Sequence, residues 1–259
     1  MNLFLPNNIY TRVLTNCFTE NLKSKIIFLP AAQITQKVES DNSSIGLIPV
    51  MDLLKHGNLN VSGKYGISFE GSLCNSYIYY LPAGTPISKD ENSISKIGLA
   101  GDVSSQEVIL SKIIFKEMYG SDLGIEIITD LDKVQEKNIL LIGDENFHNE
   151  RFLKGISFSE IMVDSLSLPF VNYIFASKNK EILEDFIKNL NNVQLLFYNK
   201  IEEGKFDYKI SSASEEYIRS NISSFVFEFN EQDREGINQV LRLPYFHGLV
   251  NDIVEVKFV

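Results

Sequence analysis

Cysteine is nearly absent from this chain: only Cys17 and Cys74 occur in 259 residues, too few for a disulfide framework. The three histidines, His56, His148 and His247, stand singly, and no metal site is expected from them. No stretch reaches the roughly 20 apolar residues that a membrane span needs. The opening MNLFLPNNIYTRVL lacks both the basic start and the apolar run of a signal peptide, so the expected compartment is the cytoplasm. Basic residues are also in deficit, with 24 Lys and Arg against 34 Asp and Glu and a formal charge of -10. Phosphate backbones are held by clustered Lys and Arg, so nucleic acid is excluded as an expected partner. A small anion remains open, because helix N-termini and hydroxyl groups can hold one without net positive charge. There is no P-loop, GxGxxG, HExxH, paired CxxC or GxSxG.

What the chain does contain is apolar material in short, separated runs. Hydrophobic residues make up 44%, enough for more than one core. Residues 25–29, 45–49, 97–100, 125–128 and 139–142 read as buried strands. Between them, residues 105–119 carry Val108, Ile109, Ile113, Phe115 and Met118 at helical spacing, with Gly120 as a stop. Further helices are expected at 180–191, 215–220 and 232–241, and the class is α/β. Two extended runs, 79–86 with its prolines and glycine and the aromatic 168–176, read as crossings between two lobes. The expected division is residues 1–82 and 176–259 in one lobe and 83–175 inserted as the other.

Polar groups for a cleft come from three loop-to-helix junctions: residues 8–11, 71–76 and 101–106. Each sets hydroxyl or amide side chains beside free backbone N–H groups, which suits a carboxylate. Each also has a purely structural explanation. Ser104 and Ser105 stand where a helix N-cap is needed, Asn75 and Ser76 could decorate an edge strand, and Asn8 could be a turn residue. Asp144, after the strand 139–142, is placed either to cap the next turn or to face the cleft.

The order of several segments resembles that of the chorismate dehydratases of menaquinone biosynthesis. These are Ile45-Gly46-Leu47-Ile48-Pro49-Val50-Met51-Asp52, Tyr65-Gly66-Ile67-Ser68, Gly71-Ser72-Leu73, Leu140-Leu141-Ile142-Gly143-Asp144 and Leu168-Pro169-Phe170-Val171. The ending Tyr217-Ile218-Arg219 followed by residues 231–237 is similar to that family's closing helices. The resemblance implies a two-lobed, periplasmic-binding-protein-like fold of type II. It implies removal of water from chorismate to give 3-(1-carboxyvinyloxy)benzoate in the futalosine route, a small anionic substrate between the lobes, and no metal or organic cofactor. On it, Asn75, Ser76 and Asp144 are the candidate catalytic groups, and Tyr10, Thr11, Ser72, Ser104, Ser105 and Gln106 the candidate substrate-binding ones. The chain departs from the pattern at the cleft. Tyr10-Thr11 stands for an Asn-Thr pair, Gly71-Ser72-Leu73-Cys74-Asn75 for Gly-Pro-Val-x-Ser, and Ser104-Ser105-Gln106-Glu107 for Ser-Arg-Thr-Ser. The arginine position is thus Ser105, and Glu107 two places on brings a carboxylate near the cleft, which counts against a dianion if it faces the ligand; Lys or Arg elsewhere in the cleft, such as Arg12 beside Thr11, could restore the charge. The alternative is a non-catalytic protein that binds a small acid, or a diverged paralogue.

Overall fold

The computed structural model describes residues 1–80, 96–120, 122–130, 138–206 and 208–259. The chain opens with β1 (Leu3–Pro6), α1 (Ile9–Thr15), α2 (Glu20–Lys23), β2 (Ile26–Leu29), α3 (Ala31–Ser40), β3 (Ile45–Pro49), a 3₁₀ turn at Val50–Leu54, and β4 (Asn60–Phe69). There follow β5 (Ser76–Tyr79), β6 (Lys96–Gly101), α4 (Ser105–Tyr119), β7 (Gly124–Ile128), β8 (Ile139–Ile142), 3₁₀ turns at Asp144–Asn146 and His148–Lys154, β9 (Ile156–Ser157) and α5 (Phe158–Leu166). The last part comprises β10 (Phe170–Ser177), α6 (Lys180–Lys188), α7 (Val193–Glu202), α8 (Ser212–Ser220), β11 (Phe225–Glu228), α9 (Glu231–Phe246) and β12 (Lys257–Phe258).

The strands form two sheets, and each centres a lobe. The larger runs β11-β4-β10-β3-β1-β2 with β12 beside β4; the smaller runs β7-β6-β8-β5-β9. Parallel pairing joins β1 to β2 and β3, and β6 to β7 and β8, whereas β10 and β5 run antiparallel to their neighbours. Strands from both ends of the chain build the larger sheet. The smaller sheet takes only strands between Ser76 and Ser157.

That placement corrects the expected boundary at 82/83. Because β5 pairs with β8 and β9, the chain has already crossed to the smaller sheet between Phe69 and Ser76. The run expected to cross, 79–86, is β5 at its start, and its residues 81–86 lie outside those described. The other run, 168–176, is largely β10, a strand of the larger sheet.

Local chemistry sets the helix ends. Asn8, Ser104 and Asn230 each close a capping box, with Thr11, Glu107 and Asp233 as the reciprocal residues, and Gly120 ends α4 in the left-handed conformation. The helix expected at 180–191 stops at Lys188, where Asn189 caps it. The one expected at 232–241 continues to Phe246 through Pro244, whose missing N–H costs only one bond in the final turn.

Strand alternation sorts the side chains of the larger sheet into two apolar clusters on its opposite faces. Leu3, Leu5, Ile45, Leu47, Tyr173 and Phe175 belong to one, and Phe4, Ile48, Ile174 and Ala176 to the other. Neither cluster stops at the lobe boundary. The first takes in Tyr77, Phe147 and Phe152, and the second Ile78, Leu99 and Ile113.

Candidate functional site

Between the sheets lies a seam of amide, hydroxyl and carboxylate groups brought from both lobes. At its centre is Asn172, a single amide in the otherwise apolar start of β10 and fully enclosed. Its Nδ2 donates to Asn75 Oδ1 at 2.8 Å, and its Oδ1 accepts from Gln106 Nε2 at the start of α4. Gln106 Oε1 in turn accepts from the Met51 N–H at 3.3 Å. Ser76 Oγ donates to Asn75 Oδ1 at 3.1 Å, and Asn75 Nδ2 reaches the Tyr173 hydroxyl at 3.4 Å. The chain thus satisfies three buried amides with one another, as burial of amides requires.

Carboxylates flank this chain of amides. Asp52, in the 3₁₀ turn after β3, accepts from Ser105 Oγ across the seam and from Thr35 Oγ1 beside it. Asp102, after β6, accepts the Ala31 N–H of α3 at 2.9 Å. Asp144, after β8, accepts the Ile9 N–H of α1 at 2.8 Å and the Tyr208 hydroxyl. Burial raises the carboxyl pKa of both Asp102 and Asp144, and their hydrogen bonds only partly offset it. The charge of Asp144 raises Asp102 further, whereas His148 and Arg12 pull Asp144 down.

Several expected contacts have other employment. Thr11 is buried, with Oγ1 donating to Pro6 O at 2.5 Å and accepting the Asn8 N–H at 3.3 Å, so it closes the cap of α1. Tyr10 is a core residue: its ring stacks on Phe225 with centroids 5.4 Å apart, and its hydroxyl donates to Cys74 O at 2.9 Å. Ser104 is the N-cap of α4. Ser72 donates to Asn221 Oδ1 at 3.3 Å, and its carbonyl accepts the hydroxyls of Tyr77 and Tyr217, away from the amide chain.

Two expectations about charge are corrected. Glu107 does not face the seam as an open carboxylate: it is 2% exposed, and its Oε2 accepts the Ser104 N–H at 2.8 Å and Oγ–H at 2.7 Å. Burial raises its pKa despite those bonds. Arg12 lays its guanidinium over the Phe28 ring, 3.8 Å from the centroid, and donates to Asn7 Oδ1 at 2.8 Å. It therefore acts on the seam through its field, which lowers the pKa of Asp144 and of Tyr208 beside it.

The seam thus gathers Asn75, Ser76, Ser105, Gln106 and Asp144 from the candidate set and leaves Tyr10, Thr11, Ser72 and Ser104 to structural duty. Asp52, Asp102, Asn172 and Tyr208 were not singled out from sequence. One signal was available for Asn172: a lone amide inside an apolar strand run must find a buried partner.

No protein-family profile matches the chain, and no curated protein does. Solved structures do. The alkanesulfonate-binding protein SsuA from Xanthomonas axonopodis pv. citri, bound to MOPS, superposes with a TM-score of 0.67 at 12% identity, covering 99% of this chain and 96% of that one. The Candida albicans CA3427 gene product, described as having the generic periplasmic binding protein fold, gives 0.65 at 11% identity over 97% and 91%. The ligand-binding component of an ABC-type import system from Staphylococcus aureus gives 0.58 at 11% over 100% and 95%. Identities this low speak for the fold alone, which is the two-lobed periplasmic-binding-protein fold of type II.

Proposed function

We propose that this protein binds a small polar molecule between its lobes and releases it unchanged. The observation that carries this reading is the seam itself. Groups that the lobes now hold for each other, the amides of Asn75, Gln106 and Asn172 and the acceptors Asp52, Asp102 and Asp144, become ligand contacts when the lobes part. Ligand sites commonly lie at such domain boundaries. The sulfonate bound by SsuA indicates the size of molecule to try first.

Chorismate dehydration is the second reading, favoured by the order of the sequence landmarks. It asks Asn75 and Ser76 to hold the leaving hydroxyl and Asp144 to move a proton. Asp144 accepts from both Ile9 and Tyr208, so that role requires it to leave both.

One experiment separates the two. The protein is incubated with MOPS, ethanesulfonate or chorismate, its melting temperature is followed, and each small molecule is weighed afterwards by mass spectrometry. Binding at 100 times Kd adds about 2.7 kcal/mol to stability. A raised melting temperature with every recovered molecule unchanged supports the binding reading. Chorismate recovered one water lighter overturns it in favour of the dehydratase.

A further inference from the structure

Asp102 and Asp144 share an unusual setting. Each follows a glycine at the end of a strand of the smaller sheet, Gly101 as the last residue of β6 and Gly143 just past β8, and β6 and β8 are neighbours. Both glycines have positive φ, +91° and +101°, a region that L side chains rarely adopt. At Gly101 an added Cβ would also run into the carbonyl oxygen of Ile142. Two matching turns therefore throw two carboxylates in the same direction, toward the larger lobe.

There each takes a first-turn N–H that its own helix cannot satisfy. The N-cap of α3 is Pro30, which offers no side-chain acceptor, and Ala31 N–H is met instead by Asp102 from 71 residues away. In α1 the Asn8 side chain caps Thr11, and Ile9 N–H is met by Asp144 from 135 residues away. The larger lobe reciprocates, since its Asp52 accepts from Ser105 in the first turn of α4.

We propose that Asp102 and Asp144 form a latch that holds the lobes shut, so that the seam opens to solvent only when both carboxylates leave their helices. This regulates the site of the binding reading and rests on that reading for its purpose, although not for its test.

The test needs no ligand. Hydrogen exchange and small-angle scattering are measured on the full chain, on the double variant Asp102→Ala/Asp144→Ala, and on Asp102→Asn/Asp144→Asn, which keeps an acceptor oxygen at each position. The decisive amide is Met51, whose N–H donates across the seam to Gln106 Oε1 and not to either carboxylate. The latch predicts that the alanine pair speeds exchange at Met51, as well as at Ile9 and Ala31, by about tenfold or more and enlarges the radius of gyration. The asparagine pair stays near the parent. Faster exchange at Ile9 and Ala31 alone, with Met51 and the radius unchanged, overturns the proposal and leaves two local caps. Should the double variant fail to fold, Asp102→Ala and Asp144→Ala are read singly at Met51 by the same criterion. A failed latch leaves the binding proposal standing, and a failure to bind any probe leaves the latch standing.

Discussion

Asn172→Ala tests whether the seam is a structural network in the closed protein or a row of spare polar groups. The substitution takes away the acceptor of Gln106 Nε2 and one of the two side-chain donors to Asn75 Oδ1, which keeps Ser76 Oγ. An orphaned buried donor costs about 1–3 kcal/mol and the lost bond at Asn75 about 0.5–1.5 kcal/mol. The expected loss is therefore about 2–4 kcal/mol, or roughly thirty- to several-hundred-fold in the folding equilibrium at about 1.4 kcal/mol per decade. Urea unfolding followed by circular dichroism measures it, with the slope unchanged if the change is one of stability alone. Combining Asn172→Ala with Gln106→Ala sharpens the result. Once Gln106 is gone its orphaning cannot be charged twice, so the pair should couple by about 0.5–3 kcal/mol. A loss under about 0.5 kcal/mol with additive double-variant behaviour would refute the network.

Three further outcomes follow from single residues. Burial holds Glu107 above its ordinary pKa of 4.5, so its favourable contribution is complete below that value and is lost as pH rises through the raised one. Glu107→Gln does not titrate, and with Asp102 and Tyr173 facing the same region its stability relative to the parent should improve as pH rises from 4.5 through the raised value, as read by urea midpoints. An unchanging difference would contradict the burial argument. Tyr10→Phe removes only the bond to Cys74 O and should lower stability by about 1 kcal/mol while leaving ligand affinity as it was; altered affinity would return Tyr10 to the site. Gly101→Ala meets both the positive φ and the Ile142 carbonyl, and should cost about 2–4 kcal/mol in thermal or urea unfolding; a parent-like midpoint would show that the turn relaxes freely.

The sequence carries most of the scaffold because the scaffold is written in local signals. Ile45–Pro49 and Ile139–Ile142 read as strands since wholly apolar runs of that length are strands covered on both faces, as both prove to be. Ser104 with Glu107 three places on is legible as a capping box, and a carboxylate used on its own helix is not free to repel a ligand. The seam is less legible because its bonds are long-range. Gln106 meets Asn172 from 66 residues away, and Asp144 meets Ile9 from 135, pairings that depend on the packing of two sheets. The lobe boundary is hard to read from sequence for a related reason. The prolines after Tyr80 are louder in sequence than the crossing at 70–75, yet it is the pairing of β5 with β8 that assigns the strand.

Because both apolar clusters run through the lobe boundary, parting the lobes is also an act of hydration. Phe147 meets the ring of Tyr10 at 6.1 Å, and Phe152 stacks on Tyr217 at 4.2 Å. Wetting such rings carries a positive heat capacity, and apolar adhesion weakens on cooling. The enthalpy of opening should therefore climb with temperature, and closure should be loosest in the cold. If a small molecule binds between the lobes as proposed, the temperature coefficient of its affinity will report the area of these buried rings as well as its own chemistry.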